Sequence, residues 1–364
     1  MCILSGSFGD GHDAAARAIR DTLADHGIDA VILDVVDRYP LRLGHALKRL
    51  YLWQVSTIPV TWRWFLDWLA PTSGRGNRIA QRLALLAVGS ASRGLRSLPR
   101  MYDAVISTHP FASQVLGLLA EQGHLGQTRS FTYLTDLSVH PLWISPAVDE
   151  HLALHEVAAA EAGWLGAASV AVVRPATRDL STTAPTSARA RADRRRQFDL
   201  PDVGTVVAVT GGAEGVGDLE ATTRDLLTIP GVLPLVLCGR NVALRARLDA
   251  LPGVTALGWV DDMAAIYATA DIVLQNAGGS TSLEALAVGL PVLSYRCLPG
   301  HGETNAANLA RAGLAPWVRS RDELAPAIAE ARSETRPIAF ADTPSVASVI
   351  VAALQPAGAD RLAS

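Results

Sequence analysis

Short β-branched runs alternate with Ala/Leu/Arg-rich stretches of helical period along most of the chain, and few folds accommodate that alternation. Apolar runs without a polar face belong in sheets covered on both sides, and parallel strands need crossover helices. Strands are expected at residues 2–5, 30–36, 104–107, 130–135, 151–154 and 169–173, then at 205–210, 233–238, 254–257, 271–274 and 291–294. Between the two series, residues 174–201 carry Pro175, Pro185 and Pro201, a Ser/Thr cluster and the basic run 189–196. That stretch reads as a connection whose arginines form a solvated face. The expected fold class is α/β, two Rossmann-like domains facing across a cleft, with ligands at the carboxyl ends of the strands. The expected divisions are an N-terminal domain over 1–175, a linker over 176–201 and a C-terminal domain over 202–338. A last helix within 339–364 is expected to pack back on the N-terminal domain.

The chain has 364 residues, enough for two domains, and 49% of them are hydrophobic, enough for two cores. A net charge of -3 gives no global electrostatic case for nucleic acid as a partner. Cys2, Cys238 and Cys297 have neither metal-ligand spacing nor the makings of a disulfide framework, which suits a reducing cytoplasm. No apolar run reaches transmembrane length. The first expected strand starts beside Met1, which leaves no room for a targeting segment ahead of it.

Residues 271–294 are the most informative stretch. A buried strand feeds Gly278, Gly279, Ser280 and Thr281, and a helical pattern follows. Unpaired amides and the helix dipole at such a turn favour a phosphate group. Glu284, one turn into the helix, is within reach of a ribose diol beside the phosphates. The segment reads as a site for a nucleotide diphosphate that needs no metal; alone, it reads equally as an ordinary strand–turn–helix unit.

A second glycine-rich turn leaves the first strand as Gly6-x-x-Gly9-x-Gly11 and ends in His12 at a helix start. The dinucleotide fingerprint has a different glycine order, although Asp34 sits near where a ribose-binding acid would be expected, so a nicotinamide enzyme is a rival. Positive potential at a helix N-terminus favours neutral imidazole, the form that accepts a proton. His12 therefore reads as a general base or as a plain helix cap. His109 follows one strand directly, and Asp136 follows another, where it serves to assist His12 or to cap a turn. The loop His140-Pro141-Leu142-Trp143 comes next and is expected to shape the pocket. His26, His45, His124, His151 and His155 read as surface or packing residues, and no histidine pair has a metal-site context. Asp261 and Asp262 read as caps of the next helix.

Trp53, Trp62, Trp64 and Trp68 cluster with Tyr51 and Phe65 behind Arg38, Arg42, Lys48 and Arg49. Aromatics with a basic flank fit an anionic bilayer surface or an apolar acceptor pocket, and otherwise an aromatic mini-core.

Four segments, taken in order, resemble the monogalactosyldiacylglycerol synthase and processive diacylglycerol glucosyltransferase group, which is related to the lipid-intermediate N-acetylglucosaminyltransferase of peptidoglycan synthesis (glycosyltransferase family 28). They are 9–15 (GDGHDAA); Thr135-Asp136 through His140, Trp143, Pro146 and Val148-Asp149; 211–217 (GGAEGVG); and 258–305, from Gly258-Trp259-Val260 through Met263, Gly278, Thr281, Glu284 and Pro291 to Asn305. The resemblance implies the GT-B fold and an inverting, metal-independent transfer from a UDP-sugar, which is a co-substrate and not a resident cofactor. It implies His12 as base, with Asp136 read as its assistant. Trp259 and Val260 would hold the uracil, Gly278, Gly279, Ser280 and Thr281 the diphosphate, and Glu284 the ribose. Gly211, Gly212, Glu214 and Gly215 would close on the phosphates, and His301, Gly302, Glu303 and Asn305 would face the sugar. Gly9, Asp10, Gly11, His109 and Trp143 are assigned to the acceptor side. The implied partners are a lipid or other amphiphilic acceptor and an anionic membrane surface, which places the protein in the cytoplasm or peripherally on the inner face of the membrane.

Three departures from the family pattern stand out. Pro299-Gly300-His301-Gly302 replaces Pro-Gly-Gln-Glu, Ala213 replaces a glycine, and Asn276 replaces a lysine. They leave the sugar open among galactose, glucose, an N-acetylated sugar and glucuronate. The acceptor is open too, between diacylglycerol, another lipid and a secondary metabolite. A UDP-sugar epimerase on the same fold and a non-catalytic binding module are the other readings.

Overall fold

The computed structural model describes residues 1–6, 10–38, 44, 89, 95–96, 98, 101–177, 188–333 and 339–355. Gly9, His45 and the aromatic segment 51–68 with Arg42, Lys48 and Arg49 lie outside these residues. The chain divides into two compact units, Met1–Arg178 with Asp342–Ser364, and Asp179–Ala341.

The first unit holds β1 (Cys2–Ser5), α1 (Asp10–Ala24), β2 (Val31–Asp34), β3 (Ala104–Ser107), α2 (Pro110–Glu121), β4 (Arg129–Tyr133), β5 (Glu150–Ala153), α3 (Glu156–Trp164) and β6 (Val170–Val172). All pairings are parallel, in the order β2-β1-β3-β4-β5-β6. Consecutive side chains of β1 and β3, among them Ile3, Leu4, Val105 and Ile106, are buried, as a strand covered on both faces requires. Leu4 and Val105 share one core cluster with Val115, Leu116 and Leu119 of α2.

The second unit opens with α4 (Ala188–Arg196). It continues through β7 (Thr205–Thr210), α5 (Leu219–Leu227), β8 (Val232–Leu237), α6 (Val242–Asp249), β9 (Thr255–Leu257) and α7 (Met263–Thr269). It ends with β10 (Ile272–Gln275), α8 (Ser280–Ala287), β11 (Val292–Tyr295), α9 (His301–Arg311), β12 (Trp317–Val318) and α10 (Arg321–Ser333). Its strands run β9-β8-β7-β10-β11-β12, again all parallel, which is the Rossmann order. The chain then returns to the first unit, where α11 (Val346–Leu354) packs against α1.

Every expected strand forms. Strand β12 was not expected, because a run so short carries no period. In each sheet the strand order reverses once, between β1 and β3 and between β7 and β10. At such a point the loops leave the carboxyl edge in opposite directions and open a crevice.

Residues 178–187 of the stretch expected as a linker lie outside the described residues, and the expected solvated face of its arginines holds only in part. Residues 188–196 form helix α4, which packs against α7, and the basic run divides between two environments. Arg189, Arg194 and Arg196 are exposed, whereas Arg195 is 5% exposed. Its guanidinium donates to Asp271 Oδ2 at 2.7 Å and to the carbonyls of Asp202 and Gly204 at 3.0 and 3.2 Å. Asp271 also accepts from the Val206 amide at 2.8 Å, so one buried pair ties α4 to the starts of β7 and β10. A buried charge left without its partner is costly. Arg195→Ala should lower stability by roughly 3 kcal/mol in urea titration, while Arg194→Ala should stay within about 0.5 kcal/mol of wild type.

Candidate functional site

The first candidate site lies at the β1/β3 switch point. Gly6 follows β1, and a Cβ there would stand 2.6 Å from His109 Cγ, so only glycine admits that ring. Asp10 and Gly11 open α1, and Ser5 Oγ donates to the Asp13 carboxylate in its first turn. His12 Nδ1 lies 2.9 Å from the Thr108 carbonyl oxygen, just past β3. A carbonyl only accepts, so Nδ1 carries the proton and Nε2 is the basic nitrogen of the neutral ring. The Thr108 hydroxyl returns a hydrogen bond to the His12 carbonyl at 3.2 Å. Thr135 Oγ1 is 3.4 Å from His12 Nδ1 and donates to Asp136 Oδ2 at 3.3 Å, so Thr135 stands as a link between Asp136 and His12.

Two residues assigned to the acceptor side sit deeper than expected. His109 is 4% exposed; its Nδ1 accepts from the Phe111 amide at 3.2 Å and caps α2, while its ring meets that of His12 edge-on at 4.6 Å. Trp143, in the 3-10 turn Pro141–Trp143, is buried with its ring 5.8 Å from that of His12. Gln114 Nε2 holds this turn through the carbonyls of Leu142 and Ile144 at 2.9 and 3.0 Å. His109 and Trp143 therefore brace His12. Asp34, the feature that favoured a nicotinamide enzyme, accepts from the Val36 amide at 2.8 Å and so serves a turn.

The second candidate site lies at the β7/β10 switch point. Residues 211–217 leave β7, and residues 276–279 leave β10 toward α8. The turn before α8 is held by buried amide side chains. Gln275 accepts from the Gly278 amide and donates to Ser294 Oγ at 2.6 Å, and Asn305 Nδ2 donates to the carbonyls of Ala277 and Gly278, both at 3.1 Å. Gly279, at the N-cap of α8, brings no capping side chain. The amides of the first turn thus have no cap from that residue, the condition that favours an anion. Glu284 Oε2 accepts from Tyr267 Oη at 2.6 Å, which fixes the carboxylate one turn into the helix. Burial, and then the Glu284 charge, raise the Tyr267 pKa well above its ordinary value, so the phenol stays a donor.

The remaining residues that the resemblance assigned to the donor fall into three positions. Trp259, beyond β9, is 48% exposed; its Nε1 donates to Asp261 at 2.8 Å and the Arg240 guanidinium lies 4.1 Å over its ring. Asp262 caps α7 as expected, accepting from the Ala265 amide at 3.1 Å, whereas Asp261 turns to Trp259. Arg240 also pairs with Glu214 at 3.0 Å, which connects Trp259 and its neighbour Val260 to the 211–217 loop. At the start of α9, His301 is exposed, Gly302 is buried, and Glu303 accepts from the Gly300 amide at 3.2 Å. Asn305 is fully buried, so it supports the turn before α8 from behind. Residue patterns did not single out Thr108, Gln114, Tyr267 or Gln275 as contributors, and Thr135 entered only as part of a family-like segment, with no role of its own. Thr108 and Thr135 carried a signal in standing directly beside His109 and Asp136 past their strands; Tyr267, inside a helix, carried none.

Burial, and secondarily the nearby His12, lower the His109 pKa well below its ordinary value, and burial lowers that of His151 to about 4. Such imidazoles bind fewer protons folded than unfolded. Their contribution to stability is full above about pH 6.5 and falls as pH drops below it, by up to about 1.4 kcal/mol per pH unit for each group. His109→Asn keeps a capping acceptor and cannot titrate. In urea titrations between about pH 7 and pH 5, its stability should fall less steeply than that of wild type, by close to one proton.

The monogalactosyldiacylglycerol (MGDG) synthase family model matches residues 12–169, and that of glycosyl transferases group 1 matches residues 218–333. The chloroplastic monogalactosyldiacylglycerol synthase of Spinacia oleracea is 27% identical over 353 residues, covering 91% of this chain and 65% of that protein. The processive diacylglycerol beta-glucosyltransferase of Bacillus cereus (strain G9842) is 24% identical over 346 residues, covering 89% of this chain and 83% of that one. MurG of Acinetobacter baumannii matches with a TM-score of 0.53 over 98% of both chains at 18% identity. Anabaena Alr3699/HepE in complex with UDP and glucose matches with a TM-score of 0.58 over 97% of this chain and 98% of that one at 15% identity. Two parallel six-stranded sheets and these likenesses define the GT-B class, the two-Rossmann-domain fold of glycosyltransferases. Within that class the chain is similar to the monogalactosyldiacylglycerol synthases and processive diacylglycerol glucosyltransferases. It spans 65% of the length of the spinach relative.

Proposed function

We propose that the chain is an inverting hexosyltransferase that moves a sugar from a UDP-sugar to a hydroxyl of a lipid or other apolar acceptor, with His12 as general base. One observation carries this reading: the Thr108 carbonyl holds His12 Nδ1, which leaves Nε2 as the nitrogen that takes a proton. Nε2 removes the proton of the acceptor hydroxyl as its oxygen bonds to the anomeric carbon. The bond from that carbon to the diphosphate oxygen breaks, the electron pair leaves with UDP, and the configuration inverts. Thr135 and Asp136 stand behind the ring, where a carboxylate favours the imidazolium that forms.

In this reading residues 1–175 serve the acceptor and 202–338 the donor. The amides at the start of α8 take the diphosphate, Glu284 the ribose, and Trp259 with Val260 the uracil. Amides and the helix dipole meet the charge on the leaving diphosphate, so neither a metal nor a resident cofactor is invoked. UDP as the nucleotide agrees with the ligand bound to the Anabaena neighbour, and a lipid acceptor with the names of the spinach and Bacillus relatives. Among the described residues, no helix is long and apolar enough to cross a membrane, and the proposed location is the cytoplasmic membrane surface, bound peripherally.

Mass spectrometry of products from UDP-glucose and UDP-galactose, each with diacylglycerol and a set of apolar aglycones, tests the reading. Wild type should form an acceptor glycoside and UDP. His12→Ala should turn over about 10²–10⁴-fold more slowly with UDP affinity unchanged. An isomerised UDP-sugar formed without acceptor, or full turnover by His12→Ala, overturns it.

A further inference from the structure

Arg296 is the first residue beyond β11 and stands in the left-handed region with φ 46°, which a long side chain adopts at a cost. Its guanidinium explains why the conformation persists. Nε and Nη2 donate to Asp225 Oδ2 at 3.1 and 2.8 Å, and Nη1 donates to Asp218 Oδ2 at 3.2 Å. Asp225 is buried in α5 and also accepts from Tyr295 Oη at 2.8 Å, while Arg321 stands 3.4 Å from its other oxygen. Asp218 occupies the N-cap of α5, yet its side chain makes no capping hydrogen bond. A residue type favoured for capping is here turned to Arg296 instead.

The two ends of this pairing belong to different donor loops. Asp218 closes the loop 211–217, and Arg296 opens the loop 297–300 that leads into α9. Further in on each side the loops touch: a Cβ on Gly217 would stand 3.1 Å from Leu298 Cδ2 and would collide with Asn276 Nδ2. Asn276 Nδ2 donates to the Val216 carbonyl at 2.8 Å, and the Asn276 carbonyl accepts from the Leu298 amide at 2.8 Å. Two layers therefore fasten the loops: a neutral seam through Asn276, and an outer clamp from Arg296 to Asp218 and Asp225.

We propose that Arg296 is a positioning residue for the donor sugar, holding the loop that faces the sugar against the loop that closes on the phosphates. This rests on the UDP-sugar reading above. Its chemistry is geometric. The turn into residues 297–305 is set by a backbone that Arg296 keeps in place through the clamp, while the amides of α8 and the Trp259 region lie on other segments. Loss of the clamp should loosen the grip on the sugar and leave the grip on the nucleotide alone.

Calorimetric titration of the full chain with UDP, UDP-glucose and UDP-galactose separates these cases. Three variants suffice: Arg296→Lys keeps a charge but loses the fork, Arg296→Gly keeps the backbone turn but loses the clamp, and Asp218→Asn removes an exposed anchor with little risk to folding. Whichever UDP-sugar wild type binds more tightly than UDP should bind about five- to twentyfold more weakly to Arg296→Gly, and less weakly than that to the other two, with UDP affinity unchanged in all three. Parallel losses for UDP and UDP-sugar would mean general damage to the unit and overturn the proposal, as would wild-type affinities in Arg296→Gly. Wild type that binds UDP no less tightly than either sugar nucleotide overturns it as well, because no sugar contact is then left to position. Wild type that binds none of the three removes the UDP-sugar reading itself.

Discussion

Parallel pairing forces every strand of a sheet to release its chain at the same edge, and the functional geometry of this protein depends on that constraint. In the first unit it brings the ends of β1, β3 and β4 together, so that Thr108 and Thr135 reach His12 from separate strands. In the second it brings the ends of β7, β10 and β11 together, and the loops 211–217, 276–279 and 297–300 share an edge. Strand reversal at β1/β3 and β7/β10 opens room at those edges for a ligand. No local sequence motif is needed to assemble the residues; the sheet does it.

Buried polar side chains then fix what the sheet gathers. Gln275 and Asn305 supply hydrogen bonds to the backbone of the turn before α8, Tyr267 holds Glu284, and Arg195 fastens α4 to the opposite, amino-terminal ends of β7 and β10. Each satisfies groups whose burial without partners would be costly. Because the turn is held from behind, its support does not draw on a capping side chain at Gly279, the N-cap of α8. Residues expected to touch ligand divide accordingly. Gly278 to Thr281 and Glu284 remain at the edge, whereas Asn305 withdraws into the support.

The strands were legible because runs such as Val206–Val209 or Val273–Leu274 are apolar on both faces, and the glycine turns were legible because few residues tolerate those approaches. The supporting contacts were not. Arg195 looks the same in sequence as Arg194 and Arg196, and only the packing of α4 decides which one turns inward. Tyr267 and Asp225 lie inside helices, far in sequence from the residues they hold. Asn305 matched the family pattern at a position read as sugar-facing, yet a matching motif does not say whether a side chain meets ligand or the backbone behind it. His109 and Trp143 follow the same rule: position past a strand places them near His12, and only burial shows that they face its ring.

The neighbouring imidazoles bear on the role proposed for His12 as a base. A proton gained at His12 is disfavoured by any positive charge 4.6 Å away, so a second histidine at that distance would be a liability if it titrated normally. His109 avoids this in two ways. Burial holds it neutral, and its Nδ1 is engaged as acceptor of the Phe111 amide, a role that a doubly protonated ring cannot fill. A positive charge on His12 pushes His109 further toward the neutral form. Gly6 makes the arrangement possible by giving His109 the space in which it is buried. The glycine that looked like part of a ligand loop thus acts through the second histidine on the first.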